Sequence, residues 1–312
     1  MKAAQIKEYG GADVLQTVHD ASKPAAGAGE VLVEVYAASA NPFDWKVREG
    51  YMKEFIPLKL PATLGGDVAG TVAEVGEGVS GFEVGQAVYG MANAAGGQGS
   101  FAEFTSVKAT QLAAKPDNID FVTAAALPLA AVSAYQAVAD HINLRPGQKI
   151  LIHGGAGGIG SLAIQIAKEL NAYVTTTARA ADTDFVKKLG ADEVIDYETQ
   201  DFSTLLKDYD AVFDTVGGAT NTKSYAVLKP GGTLVSMVQP ADEELAKQYG
   251  ITYVHQSSKT NQERLAKITE LVKNGKLTVN VDKVFPLAQA GEALEYLKTS
   301  HPRGKVVIQV KD

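Results

Sequence analysis

Glycines 155, 157 and 160, in the stretch Lys149-Ile150-Leu151-Ile152-His153-Gly154-Gly155-Ala156-Gly157-Gly158-Ile159-Gly160, have the spacing GxGxxG, which suits the gripping of a pyrophosphate. The first glycine allows the tight turn. The second lets the backbone come close to the phosphates, and the third lets a helix pack on a strand. Backbone N–H groups at Gly158, Ile159 and Gly160, where a helix would begin, point at the phosphates, and the helix dipole favours negative charge there. Glycines also crowd ordinary turns, so context decides. An apolar strand-like run precedes this turn, and Ser161 to Leu170 follows with apolar residues at 162, 163, 166, 167 and 170, the period of an amphipathic helix.

Which dinucleotide fits depends on the end of the next strand. A site for NAD places Asp or Glu about 20 residues after the glycines to hold the ribose 2′-hydroxyl. This chain has Thr175-Thr176-Thr177-Ala178-Arg179-Ala180 there. A guanidinium at Arg179 can bind a 2′-phosphate with charge-assisted hydrogen bonds, whereas a carboxylate would repel it. NADPH is therefore expected over NADH, with Thr177 and Arg179 in the cofactor set. Asp182 and Asp184 lie slightly beyond and would hold a ribose if the turn is longer.

Strand and helix patterns alternate around these residues from 149 to about 275. Strand runs fall at 149–153, 172–177, 193–197, 211–216, 232–237 and 251–255, with helical runs between them. Six strands match a doubly wound parallel sheet with helices on both faces. Residues 1–120 read instead as a β-rich module, with β-branched runs at 31–36, 68–75, 87–90 and 101–105 separated by glycine and proline turns. The loop from Gly90 to Ser100 is either a plain connection or the rim of a cleft. An alanine-rich helical run crosses 119–139 and should break or kink at Pro128. After Asn274 the pattern returns to a strand-like run from Leu277 to Phe285, a helix near 290–299 and a final strand at 304–310. The expected organisation is an α/β chain in which residues 121–276, a six-stranded Rossmann domain, are inserted in a β-rich domain of residues 1–120 plus 277–312, with the substrate cleft at their junction.

The 312 residues carry a net charge of −7, with 46% hydrophobic and 21% charged residues. That composition gives no electrostatic reason to expect nucleic acid as a partner. No apolar run is long enough to span a membrane and the first residues lack a secretion-type stretch, so a cytoplasmic protein is expected. The absence of cysteine removes disulfides, thiol catalysis and thiolate zinc sites. Histidines 19, 141, 153, 255 and 301 show no metal-ligand spacing. No metal is expected.

The order of these parts, with Asn41-Pro42-Phe43-Asp44, Leu64-Gly65-Gly66-Asp67-Val68-Ala69-Gly70, the turn from His153 to Gly160, and Gly304-Lys305-Val306-Val307, resembles the medium-chain dehydrogenase/reductase superfamily over essentially the whole chain. It looks most like the zinc-independent quinone oxidoreductase branch, the zeta-crystallin-like proteins, whose β-rich domain is GroES-like. Zinc alcohol dehydrogenases of that superfamily carry Cys where Asn41 stands and Gly-His-Glu where Gly65-Gly66-Asp67 stands. The resemblance implies NADPH passing hydride to a quinone or to the β-carbon of an enone or enal. An enoyl thioester acceptor and a non-enzymatic NADPH-binding or structural role are the alternatives. It places Asn41, Tyr51 and Ser133 near nicotinamide or substrate, and Tyr197 near the adenosine phosphate beside Arg179. Asn41 is either a contact or an Asn-Pro turn cap. Tyr51 is either a hydrogen-bond donor to a developing enolate or a rim residue. Val216 and Val235, on two later strand runs, complete the cofactor set. A homodimer through the edge strand at 251–254 is expected by analogy.

Overall fold

The computed structural model describes residues 1–311. The first part of the chain lays down β1 (Ala3–Ile6), β2 (Gln16–Val18), β3 (Glu30–Ala40), helix α1 (Pro42–Arg48), β4 (Ala62–Thr63), β5 (Asp67–Val75), β6 (Ala87–Met91), β7 (Phe104–Lys108) and β8 (Leu112–Ala114). Strands β2, β1 and β4 form a small sheet; β3, β5, β6 and β8 run side by side in a larger one, with β7 also paired to β3. Valines 31, 33, 35, 68, 72, 88 and 107 fill one core of this module. Their β-branched side chains suit a pleated, buried surface.

Helix α1 is absent from the periodicity reading because Asn41-Pro42 looks like a turn. Two local features start it. Proline occupies its first position, where the missing N–H costs nothing. Asp44 reaches back to accept the Asn41 N–H at 2.7 Å, half of a capping box.

Helices α2 (Phe121–Ala125) and α3 (Pro128–Tyr135) divide at Pro128, which opens the second, and α3 runs on into a π-turn at Gln136–His141. The alternating region follows as β9 (Lys149–Ile152), α4 (Gly160–Glu169), β10 (Tyr173–Ala178), α5 (Thr183–Lys188), β11 (Glu193–Asp196), α6 (Phe202–Leu205), β12 (Tyr209–Asp214), α7 (Ala219–Ser224), β13 (Leu228–Ser236), α8 (Glu243–Tyr249) and β14 (Thr252–His255). All pairings are parallel, in the order β11-β10-β9-β12-β13-β14. Counted from β9 this is the Rossmann strand order, and β9 and β12 flank its switch point. Ile150, Leu151, Ile152, Val212 and Phe213 are fully buried, as a sheet covered on both faces requires.

After helix α9 (Gln262–Lys273) the chain forms β15 (Val281–Pro286), α10 (Ala290–Thr299) and β16 (Lys305–Gln309). The strand expected from Leu277 starts only at Val281. β16 pairs antiparallel with β3, setting Val306 opposite Ala40, and β15 lies parallel to β16. Contacts group the chain into two units: Met1–Leu129, Thr260–Lys273 and the segment from Val279 in the first, and Ala130–Lys259 with Asn274–Thr278 in the second. Helix α9 and residues 121–129 thus go with the first unit, where Tyr89 donates to the Leu265 carbonyl at 2.8 Å and Asn118 to that of Val272 at 3.0 Å. No helix among the described residues is long and apolar enough to cross a membrane.

Candidate active site

In the second unit, the turn after β9 is tied to the end of β10. The Gly154 N–H donates to Thr177 Oγ1 at 3.1 Å, the Gly155 N–H to the Thr177 carbonyl at 3.0 Å, and the Gly157 N–H to the Gly154 carbonyl at 3.0 Å. A Cβ at Gly155 would lie 2.0 Å from Thr176 Oγ1, and one at Gly160 would lie 2.2 Å from the Gly154 carbonyl. Those two glycines are required by the protein's own packing. A Cβ at Gly157 would meet only the Gly154 carbonyl, at 3.3 Å. The unit's own packing thus demands glycine less strongly at 157 than at 155 and 160, and the open cradle fits a pyrophosphate. Helix α4 begins at Gly160, so Gly158 and Ile159 lead directly into its first turn, where helix N–H groups lack intrahelical partners.

Thr177 holds this turn and is itself held. His153, fully buried, sets Nδ1 3.2 Å from Thr177 Oγ1 and Nε2 2.9 Å from Ser224 Oγ, with its ring edge-on to Phe202. Burial pushes the imidazole down to about 4, against the pull of Asp214. The folded state therefore keeps His153 neutral while the unfolded chain protonates it below about 6.5, and stability drains away as pH falls from there toward 4. The contribution is about 3 kcal/mol, from roughly 1.4 kcal/mol per pH unit. Asp44, held up at about 7, works in the opposite sense, adding stability as pH falls below 7. Comparing H153N with the native chain by urea unfolding between pH 7 and 4.5 isolates the histidine: H153N loses about 2–3 kcal/mol less across that window. Equal slopes would refute the assignment.

Arg179 directly follows β10. Its Nε donates to Asp182 at 2.7 Å, and Asp182 is buried while Asp184 is exposed. Asp182 thus serves the guanidinium. That pairing raises the Arg179 pKa, and Tyr197, half-exposed, lies within electrostatic reach of both. The Tyr197 N–H donates to the Ala178 carbonyl at 3.3 Å, which sets this residue beside the end of β10. Ser133 is buried on α3 with its hydroxyl 2.6 Å from that of Ser258. Val216 is exposed after β12, and Val235 is fully buried in β13, which confines it to backbone contact. Val216 is positioned by Asp214, a buried carboxylate that accepts the N–H groups of Val216 and Gly217 at 2.9 Å, Asn221 Nδ2 at 2.7 Å and Ser236 Oγ at 3.0 Å. Sequence reasoning did not single out Asp214; its signal was an acid at the end of an apolar strand.

The first unit holds the other constellation. Asp67, fully buried at the start of β5, accepts Ser39 Oγ at 2.7 Å, Asn41 Nδ2 at 2.8 Å, the Leu129 N–H at 2.8 Å and Lys305 Nζ at 3.4 Å. Lys305, buried on β16, also donates to Asn41 Oδ1 and, at 3.3 Å, to the Ala40 carbonyl. The Asn41 amide is thereby committed on both sides. Asn41 is the N-cap residue of α1, and its side chain joins an acid to a cation. A cavity of about 200 Å³ adjoins the group, lined by Asn41, Phe43, Asp44, Gly66, Met91 and Leu129 among others. Tyr51 lies just past α1, 69% exposed, with its ring edge-on to Trp45. In a larger hollow of about 500 Å³ elsewhere in this unit the charged lining residues, Lys7, Asp20 and Lys23, are all exposed. It shows none of the buried chemistry of the smaller one.

Two family models match, an alcohol dehydrogenase GroES-like domain over residues 27–117 and a zinc-binding dehydrogenase domain over 189–308. The chain is 37% identical to the chloroplastic NADPH-dependent alkenal/one oxidoreductase of Arabidopsis thaliana, over 99% of its own length and 79% of that protein. The quinone oxidoreductase of Coxiella burnetii superposes with a TM-score of 0.92 at 35% identity, covering 100% of this chain and 99% of that one. The chain belongs to the quinone oxidoreductase branch of the medium-chain dehydrogenases and reductases. The Escherichia coli quinone oxidoreductase, solved in complex with NADPH, shares the fold of this branch, with a TM-score of 0.90 at 27% identity over 99% of this chain and 100% of that one.

One of the two models carries zinc in its name, and the residues here do not fit that ion. The Asn41 amide oxygen already accepts an ammonium group, and the Asp67 carboxylate is taken up by four donors. A divalent cation would be repelled by Lys305. Among the described residues no three His, Cys, Asp or Glu side chains converge as ligands.

Proposed function

We propose that the chain is an NADPH-dependent reductase that delivers hydride, without a metal, to a quinone or to the β-carbon of an α,β-unsaturated carbonyl. The observation that carries this reading is the phosphate cradle, open at the glycine that the protein's own packing demands less strongly, beside an arginine fixed at the end of β10. The alkenal/one and quinone reductases among the relatives support the acceptor class. When bound, the reduced nicotinamide supplies the hydride.

The residues would divide the remaining work. Gly155, Gly157, Gly158, Ile159 and Gly160 hold the pyrophosphate against the helix N-terminus. Arg179 holds the 2′-phosphate, with Asp182 fixing its fork and Tyr197 alongside. Thr177 shapes the turn, and Ser133, Val216 and Val235 border the rest of the cofactor. Asn41 acts through Lys305 and Asp67, and Tyr51 offers an exposed phenol to the acceptor oxygen. A homodimer through β14, the edge strand of its sheet, and a cytoplasmic location complete the proposal. Light scattering and fractionation test these two.

Steady-state oxidation of NADPH with a panel of quinones, enones and enals tests the activity, and no turnover above background with any of them would overturn it. The cofactor assignment has its own check. R179A should lose roughly ten- to a hundredfold in NADPH affinity while NADH affinity changes little, because only the 2′-phosphate loses its charge-assisted bonds. An unchanged NADPH-to-NADH ratio would refute the role of Arg179.

A further inference from the structure

Asp44 and Asp67 are two buried carboxyl groups within electrostatic reach of each other and of one buried cation, Lys305. They are not equally served. Asp67 accepts four donors, the ammonium among them. Asp44 accepts one, the Asn41 N–H at 2.7 Å, and forms part of the wall of the 200 Å³ cavity. Burial out of water, with a second carboxyl nearby and a single hydrogen-bond donor, favours the protonated form of Asp44.

We propose that Asp44 is the acid that protonates the acceptor oxygen after hydride delivery, and that its burial beside Asp67 keeps it protonated until then. The proposal rests on the reductase reading above. Hydride arriving at the β-carbon of an enone shifts the C=C electron pair toward the carbonyl oxygen. The Asp44 O–H bond then breaks, an O–H bond forms on that oxygen, and the enol ketonises in solution. A quinone that has gained hydride takes up the proton on oxygen in the same way, giving the hydroquinone. The Asp44 carboxylate left behind is reprotonated from water, so each turnover consumes one hydride and one proton.

The surroundings leave this assignment little competition. Burial is the main cause holding the Asp44 carboxyl up at about 7; the charge of Asp67 adds to it, and the Asn41 N–H and Lys305 oppose it. Among the other residues lining the cavity, Phe43, Met91 and Leu129 are apolar, and Asn93 and Gln111 are neutral amides. Arg48, one turn further along α1, is committed to Glu49 and Glu295. Asp44 is therefore the one lining group that can hold a transferable proton near neutral pH.

Single-turnover NADPH oxidation with a quinone or enone, measured against pH, tests this. The native rate should fall as pH rises through about 7, while D44N is slower by about 10²-fold at low pH with a flattened profile and an unchanged NADPH dissociation constant. A merely structural role would lower the rate at every pH and leave the profile's shape intact, and that result, or a native rate in D44N, overturns the proposal. Infrared titration of the native protein, in the absence of NADPH and acceptor, supplies a second arm that needs neither turnover nor a folded variant. A carboxylic-acid carbonyl band that disappears through about pH 7 supports the proposal, and no such band overturns it. If the native protein oxidises no NADPH with any acceptor, the reductase reading fails, and the infrared arm still shows whether Asp44 holds the proton.

Discussion

Replacing Lys305 with methionine is expected to lower the free energy of unfolding by about 3–5 kcal/mol, the usual cost of stranding one member of a buried ion pair. The Lys305 side chain is buried on β16, and its ammonium is shared by Asp67, Asn41 Oδ1 and the Ala40 carbonyl. Methionine matches the length of the stem, which is already out of water, so its extra apolar burial returns little. Three of the four donors to Asp67 remain, which keeps the loss near the stated range rather than at the far larger Coulomb energy of an isolated buried charge. Because the pair is screened by protein and not by ions, added salt should change the difference little. The double variant K305M/D67N, which removes the stranded charge, should be less destabilised than the two single changes summed, by about 1 kcal/mol or more. Urea unfolding of the four proteins gives both quantities. If K305M stays within about 0.5 kcal/mol of the native chain, the ammonium is not what balances Asp67.

That constellation was the part of the molecule least legible in the sequence. Lys305 stands at the margin of an apolar run and reads as the solvated start of a strand. Its partners are 264 and 238 residues away at Asn41 and Asp67. Only the pairing of β16 with β3 brings them together, and periodicity carries no information about such a pairing. Asn41 was readable as a polar residue before proline, but not as the joint between an acid and a base. Asp44 was visible as part of a motif, while its burial follows from α1, a helix whose Asn-Pro start looks like a turn. Strands as short as β1 and β4 lie below what alternation can reveal. The parallel sheet was legible for the converse reason. Its strands are buried on both faces and so read as continuous apolar runs, and each is followed at short range by its helix. The cradle was legible because its chemistry sits within a few consecutive residues.

The strongest separation of binding from folding is expected within that cradle. G157A should fold with nearly native stability, since the added Cβ meets a single carbonyl at 3.3 Å, yet bind NADPH roughly ten- to a hundredfold more weakly because the methyl fills the space reserved for the pyrophosphate. G160A should behave in the reverse sense. Its Cβ would fall 2.2 Å from the Gly154 carbonyl and 2.8 Å from its carbon, backbone atoms that no side-chain rotation can move aside. The helix must shift off the turn, at about 1–3 kcal/mol for overpacking. G155A should be destabilised in the same way but less, because its clash is with a side chain and not with backbone: Thr176 must give up its bond to the Ile152 carbonyl and shift its Cβ, which would lie 2.9 Å from the added methyl. Thermal unfolding without cofactor orders the three variants as G157A most stable, then G155A, then G160A. NADPH titration of the folded fractions by fluorescence gives the complementary reading. If G157A bound NADPH as tightly as the native chain, the open space at that glycine would have no ligand to explain it, and the cradle would be an ordinary turn between strand and helix.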